Sequence, residues 1–235
     1  MAKPNMIELP IGVRVPILYE DRSVLGIDKP AGWMLSPIQW NKTGRNLQRA
    51  LMLSIQAGEF WARSRNIKYL RFVHRLDAET SGVLLLARSP GALSVLSELF
   101  ESRRVRKRYL AVVAGIPKET HWVCRLKIAP EPDETGRMRV DAAHGKEAET
   151  EFRVLEQGRR RALIEALPLT GRTHQIRVHL AASGCPVAGD RLYGEGGPHL
   201  GLRAVELSYT DPFQKRPVRV TAPKEEFLRR FDFGP

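Results

Sequence analysis

Short apolar runs, separated by glycine, proline and polar residues, recur along the chain and predict strands. The run Val83–Leu86 is wholly apolar, as in a strand buried on both faces. Two further runs meet at residues 157–159, which predicts a strand pair joined by a tight turn. A Pro/Gly turn is predicted at residues 29–32. The other predicted strands lie in VPILYEDRSVLGID, RYLAVVAG, LRAVELSYTDP and RPVRVTAP.

Helical spacing of apolar residues is found in three places. Ser89 and Pro90 form an N-cap and first-turn pair, and apolar residues then follow at helical spacing as far as Phe100. Residues 41–63 predict an imperfect helix. The sequence THQIRVHLAASG predicts a short helix with Thr173 as N-cap and Gly184 as its stop.

These elements predict an α+β protein with a mainly antiparallel sheet flanked by helices and loops. We expect a leader over residues 1–16 and one domain over residues 17–235, because no break in composition marks a second domain.

Composition narrows the class of protein. Cys124 and Cys185 lie far apart, so neither a disulfide framework nor a thiolate metal site is expected. No apolar run reaches the roughly 18 residues needed to span a bilayer, and the first residues lack the apolar core of a secretory signal. We expect a protein of the cytoplasm that is not bound to membranes.

Charge indicates the kind of partner. Lys and Arg outnumber Asp and Glu by 38 to 26, which gives a net charge of +12 and a pI of about 10.1. Such an excess favours a polyanion, since neutralised phosphates release counterions. Basic residues cluster at 103–108 and 159–161. Each cluster alone is equally compatible with solvated surface arginines, and a membrane surface is a weaker alternative.

Candidate chemistry lies in two stretches. Asp77 is in a polar turn between two apolar strands, where an aspartate often has only a structural role. Arg177 falls in the first turn of a predicted helix, where a cation opposes the helix dipole and is often held by a carboxylate. Most surface arginines have no such role. His174 and His179 are five residues apart, which suits neither a zinc pair nor a metalloprotease motif, so we interpret them as ordinary helix histidines.

Together these stretches resemble the RluA family of pseudouridine synthases. The resemblance covers roughly residues 18–222, and we expect the minimal form of the family, without an S4 RNA-binding module. Residues 38–69 match least and are expected to influence the choice of RNA. The matching motifs are DKPAG at 28–32, HRLDAETSG at 74–82, KRYLAVVAG at 107–115, TGRTHQIRVHL at 170–180 and GDRLYG at 189–194.

The resemblance implies a twisted, mainly antiparallel sheet with a central RNA-binding cleft. It implies that Asp77 is the catalytic carboxylate, that Tyr109 packs against the target base, and that Arg177 pairs with Asp77. Arg75 matches an arginine that in some members enters the RNA stack where the uridine leaves.

The implied substrate is ribosomal or transfer RNA, and Arg104, Arg106 and Arg172 are expected to bind it. Substrate and product are isomers, so neither a cofactor nor a metal is expected. We also expect a monomer that needs no protein partner.

Several alternatives stay open at this point. Asp77 either attacks C1′ covalently or removes a sugar proton to give a glycal. An RNA-binding protein without catalysis is one rival function. The other is a hydrolase of a C–N glycosidic bond, although such chemistry usually needs a second carboxylate, and Glu79 is the nearest in sequence.

Overall fold

The computed structural model describes residues 3–9, 12–35, 44–132, 134 and 136–234. The chain folds into two compact units. The first unit comprises Met1–Val105 and Glu206–Ala222, and the second comprises Arg106–Val205 and Pro223–Pro235.

The first unit is built on antiparallel strands with helices packed against them. Its elements are β1 (Met6–Glu8), β2 (Arg14–Glu20), β3 (Val24–Lys29), α1 (Leu47–Gln56), α2 (Phe60–Arg63), β4 (Arg71–Phe72), β5 (Ser81–Ala87), α3 (Pro90–Glu101) and β13 (Pro217–Thr221). Strand β2 pairs with β1 and β3, and β5 pairs with β3 and β4. The apolar run of β5 is buried, and its side chains share one core cluster with side chains of α3.

The second unit has a four-stranded antiparallel ladder in the order β6–β11–β10–β7, and a separate two-stranded β8–β9 hairpin. Its elements are β6 (Arg106–Ala114), β7 (His121–Cys124), β8 (Ile128–Pro130), β9 (Met138–Val140), β10 (Thr150–Gln157), β11 (Arg161–Pro168), α4 (Gln175–Ala182) and α5 (Glu225–Arg230). Helix α4 buries its apolar residues Ile176 and Leu180 in a cluster with Phe152 of β10 and Ile164 of β11.

Strand β12 (Leu202–Thr210) contributes to both units. Its residues Leu202–Val205 belong to the second unit, and Glu206–Thr210 pair with β13 in the first. The expected single domain over residues 17–235 stays a prediction. Within the segment expected as a leader, Met6–Glu8 forms β1 and pairs with β2.

The predicted fold class is confirmed: the protein is α+β, and the strand pairs named above are antiparallel. Helix α3 begins as expected, with the Ser89 hydroxyl accepting a hydrogen bond from the Ala92 amide at 3.1 Å. The turn at residues 157–159 is also present, closed by a bond from the Gly158 amide to the Arg161 carbonyl. Both cysteines are buried free thiols.

Two helix predictions were wrong in detail. The helix expected over residues 41–63 is interrupted: α1 ends at Gln56, and Gly58 adopts a left-handed φ of 67° before α2 begins. Residues 41–43 of that prediction lie outside the described residues. Helix α4 is capped by His174, in a left-handed conformation with φ 55°, and not by Thr173.

No helix in the described parts of the chain is both long and apolar enough to cross a lipid bilayer.

Candidate active site

Asp77 lies in the turn that connects β4 to β5. The Thr80 amide donates to the Asp77 carbonyl at 3.2 Å, which closes the turn locally. Asp77 is half-buried, its neighbour Arg75 is exposed, and Leu76 between them is buried. Alternation of this kind directs Leu76 into the first unit and Arg75 to its surface.

The fully buried side chain of Lys29 is hydrogen-bonded to the backbone of this turn. Lys29 ends β3, and its ammonium group donates to the carbonyls of Pro30 at 3.0 Å, Ala78 at 2.8 Å and Thr80 at 2.9 Å. Burial lowers the pKa of Lys29 to about 8, although the negative charges of Asp77 and Glu79 oppose that shift. Lys29 therefore connects the motif at residues 28–32 to the backbone that carries Asp77.

The start of the turn is held by His74. The Leu85 amide donates to Nε2 of His74 at 3.1 Å, and the imidazole stacks on the ring of Phe100 with centroids 4.7 Å apart. Both contacts lie inside the first unit.

Tyr109 lies on β6 in the second unit. It is half-buried, stands opposite Ala166 of β11, and packs against the apolar cluster that α4 helps to form. Two residues earlier on β6, the ammonium of Lys107 donates to the Thr170 carbonyl at 2.7 Å. The strand that carries Tyr109 is thereby tied to the start of the motif at residues 170–180.

Arg177 is buried in the first turn of α4 and has a carboxylate partner, as its position predicts. Its Nε and Nη2 donate to the two oxygens of Asp190, at 2.7 and 2.8 Å. Burial alone would raise the pKa of Asp190, but the hydrogen bonds and charge of Arg177 outweigh burial and hold that pKa below its usual value. The guanidinium also lies over the Tyr193 ring, 5.1 Å from its centroid. The Arg177–Asp77 pair that the resemblance implies stays a prediction.

Gln175 replaces Thr173 as the residue that fixes the start of α4. Its Oε1 accepts from the Thr170 hydroxyl at 2.7 Å and from the Arg172 amide at 3.0 Å. Its Nε2 donates to the Glu149 carbonyl and the Thr150 hydroxyl, both at 2.9 Å. All four hydrogen-bonding positions of the buried amide are thus used.

His179 has the structural role that the sequence predicts. It is fully buried, with Nε2 at 2.9 Å from the Leu126 carbonyl and Nδ1 at 3.0 Å from the Thr150 hydroxyl. A carbonyl only accepts, so Nε2 carries the proton and Nδ1 accepts from Thr150. Burial lowers the pKa of His179, which keeps the ring neutral.

The arginines expected to bind RNA differ in their surroundings. Arg104 donates to Ser102 and to Glu98, the latter at 3.1 Å, and Arg172 donates to the Glu147 carbonyl at 2.9 Å. Arg75 and Arg106 are exposed.

Sequence reasoning missed two residues that shape these sites, Lys29 and Asp190. Lys29 had one signal, its place between Asp28, which follows the apolar run VLGI, and Pro30. Asp190 lies in the matching motif GDRLYG, but nothing in the motif indicates that it pairs with Arg177.

Residues 23–182 match the family model described as RNA pseudouridylate synthase. The chain is 34% identical over 226 residues to ribosomal large subunit pseudouridine synthase C of Vibrio vulnificus, covering 91% of this chain and 67% of that protein. It is 37% identical over 237 residues to synthase D of Xylella fastidiosa, covering 94% and 69% of the two chains.

Solved structures agree with these matches. Human RNA pseudouridylate synthase domain containing 1 has a TM-score of 0.71 and 30% identity, and the match covers 89% of this chain and 83% of that one. The human domain-containing 4 protein, 24% identical, shares the fold with a TM-score of 0.73 over 92% and 91% of the two chains. The chain therefore belongs to the RNA pseudouridylate synthases, enzymes that isomerise uridine in RNA to pseudouridine. Among these, its similarity to synthases C and D makes it a member of the RluA family.

Proposed function

We propose that this synthase modifies ribosomal RNA and uses Asp77 as its catalytic carboxylate. The choice of ribosomal RNA is supported by the similar bacterial proteins, which are named as synthases of the large ribosomal subunit. The catalytic role of Asp77 is supported mainly by the hydrogen bonds of Lys29 and His74, which anchor its turn. These bonds fix the backbone that carries a half-buried carboxylate. We place the reaction in the cytoplasm, with a monomeric enzyme that needs no protein partner.

The reaction exchanges one glycosidic bond for another. The C1′–N1 bond of uridine breaks, the uracil turns, and C5 bonds to C1′. The hydrogen on C5 leaves as a proton and N1 gains one, so the atoms balance without an oxidant or reductant. Asp77 serves either by attacking C1′ or by removing a sugar proton to give a glycal. In this proposal Tyr109 packs against the uracil and Arg177 pairs with Asp77.

Access to the uridine requires it to leave its stack, at a cost of a few kcal/mol. Arg75 is the residue we propose to fill the gap, because it is exposed and lies two positions from Asp77. Contacts from Arg104, Arg106 and Arg172 to phosphates offset part of the cost. We expect Arg104→Ala with Arg106→Ala to weaken RNA binding and to reduce its dependence on salt, by about 0.7 to 0.9 in log–log slope for each phosphate that is no longer neutralised.

The proposal is tested by tritium release from RNA labelled at uracil C5. Asp77→Asn is expected to reduce turnover by about a thousandfold or more and to leave RNA affinity nearly unchanged, because the reacting carboxylate is removed without a change in shape. Glu79→Gln is the matched control: it removes an exposed carboxylate from the same turn and should keep turnover within about threefold of wild type.

Ribosomal and transfer RNA are assayed side by side. Release from ribosomal RNA alone supports the substrate assignment, and release from transfer RNA alone contradicts it. Normal turnover by Asp77→Asn would contradict the catalytic assignment. Free uracil among the products would point to hydrolysis of the glycosidic bond.

A further inference from the structure

The ladder between β4 and β5 ends in an unusual way. Arg71 pairs with Ala87 and Phe72 with Leu86, so the next pair in register is Val73 with Leu85. In an antiparallel ladder every second pair exchanges two backbone bonds, and the Val73–Leu85 pair is in the position of such a pair. The Val73 amide does donate to the Leu85 carbonyl at 3.0 Å. The Leu85 amide, however, donates to Nε2 of His74 at 3.1 Å.

The imidazole thus takes the place of a backbone carbonyl. Leu85 is fully buried, and a buried amide without an acceptor would be strongly destabilising. Because His74 accepts this bond, the chain leaves the sheet after Val73 without an unsatisfied donor. Asp77 follows only three residues later.

The ring itself is held in place. It stacks on Phe100 of α3 with an angle of 16° between the ring planes. Since Nε2 accepts from Leu85, the neutral ring carries its proton on Nδ1. His74 is half-buried and Leu76 is buried, whereas Arg75 between them is exposed.

We infer that His74 is a positioning residue for pseudouridine formation: its Nε2 ends the β4–β5 ladder and thereby fixes the direction in which the chain presents Arg75 and Asp77. The inference rests on the proposed role of Asp77. It differs from simple core packing because it assigns the effect to one acceptor atom and not to the volume of the ring.

Three substitutions separate the acceptor from the ring. His74→Gln keeps a hydrogen-bond acceptor at the distance of Nε2 and loses the ring. His74→Phe keeps a ring that stacks on Phe100 and loses the acceptor. His74→Asn is polar but too short to reach the Leu85 amide. Phe100→Leu removes the stack alone and serves as a control for reduced packing.

The measurement is kcat and KM for tritium release from C5-labelled ribosomal RNA, together with the thermal midpoint of each variant. We expect His74→Phe and His74→Asn to lose about 10- to 100-fold in kcat, the size of effect that a displacement of about 1 Å produces, with KM within about threefold of wild type. His74→Gln and Phe100→Leu should keep kcat within about threefold, even where their thermal midpoints fall.

Equal kcat in the Phe and Gln variants would overturn the inference, and so would a kcat that follows the thermal midpoint across all four variants. If His74→Phe does not fold, a tenfold or greater loss of kcat in folded His74→Gln would still overturn it. Asp77→Asn is measured in the same assay. Its normal turnover would defeat the proposed function, whereas an inactive Asp77→Asn beside a fully active His74→Phe would defeat the role of His74 alone.

Discussion

Each unit of the molecule buries a cation beside a stretch that resembles a family motif, and the two cations are stabilised differently. Lys29 in the first unit is fully buried and donates only to neutral backbone carbonyls. Arg177 in the second unit is 5% exposed and forms a two-bond ion pair with Asp190, itself fully buried. In the first arrangement the ammonium charge is stabilised by the dipoles of three carbonyl groups. In the second, the guanidinium charge is neutralised by a carboxylate.

The difference determines how each site should respond to change. The ammonium of Lys29 can lose its proton, and burial has already lowered its pKa to about 8. A guanidinium stays charged at any ordinary pH, so in the second unit the titrating partner is Asp190. A rise in pH should therefore affect the Lys29 bonds to the Asp77 turn, and a fall in pH should affect the ion pair between Asp190 and Arg177 of α4.

Arg177→Met should have the largest effect on stability. It leaves the Asp190 carboxylate buried without its counter-charge, and we expect the free energy of unfolding to fall by about 3 to 5 kcal/mol. Chemical denaturation measures the loss. Adding Asp190→Asn should recover part of it, because an Asn oxygen can still accept from the amides of Leu192 and Tyr193. A double variant no more stable than Arg177→Met would contradict the view that the uncompensated charge is the cause.

Lys29→Met should cost somewhat less, about 2 to 4 kcal/mol, because it leaves polar groups and not a charge without partners. The Ala78 carbonyl keeps its bond from the Gly32 amide at 2.8 Å, whereas those of Pro30 and Thr80 lose their donor from Lys29. The turn that carries Asp77 should loosen, so kcat should fall in the folded variant at temperatures well below its unfolding midpoint. Full kcat in folded Lys29→Met would show that the turn is held without the ammonium.

The pH dependence of Lys29 should separate stability from activity. Below pH 8 the lysine is protonated in both the folded and the unfolded state, and the folded state bears the full cost of the buried charge. Between pH 8 and about 10.4, the unperturbed pKa, only the unfolded state keeps the proton. The contribution of Lys29 to the free energy of unfolding therefore rises over this window. Activity should fall, since a neutral amine has two hydrogens for three carbonyls.

The comparison with Lys29→Met isolates this contribution. Unfolding is measured in denaturant at several pH values between 7.5 and 10.5, a range chosen to bracket the two pKa values near 8 and about 10.4. The wild type should gain stability relative to the variant across the window. A difference that is constant with pH would mean that Lys29 does not titrate in the folded protein there.

His179 should have the smallest effect on stability, because its buried ring is neutral in the folded protein. Its pKa is lowered by burial, so below about pH 6.5 the unfolded state takes up a proton more readily than the folded state. The free energy of unfolding should decline as the pH falls below this value. His179→Gln, which cannot titrate, should lack that part of the decline, and identical pH slopes in the two proteins would contradict the prediction.

The sequence predicts local features of this fold well. Strand β5 follows from its uninterrupted apolar run, and helix α3 follows from Ser89, Pro90 and the spacing up to Phe100. The position of Arg177 predicts that a carboxylate holds it. These features depend on residues close to one another in the chain, whose periodicity and capping chemistry can be read directly.

What the sequence does not reveal are contacts made over long separations. Lys29 bonds to carbonyls 49 and 51 residues away, and neither Ala78 nor Thr80 has a side chain that would signal it. Asp190 is 13 residues from Arg177, and Glu165 lies as close on the other side, so distance along the chain does not identify the partner. The start of α4 is another case: His174 and not Thr173 is its cap, and the Gln175 amide fixes it through bonds to Thr150 on β10 and to the preceding Glu149. The roles of Asp77, Tyr109 and the RNA-binding arginines stay predictions.

The division of strand β12 between the two units has a consequence for how the protein is made. The first unit consists of Met1–Val105 and Glu206–Ala222, so all of Arg106–Val205 is synthesised before its remaining strands exist. At usual rates of translation that interval lasts on the order of ten seconds. During this time β5 and α3 have no β12 or β13 side chains to complete their shared apolar core. The nascent first unit therefore exposes apolar surface to chaperones and to aggregation until Glu206–Ala222 have emerged from the ribosome.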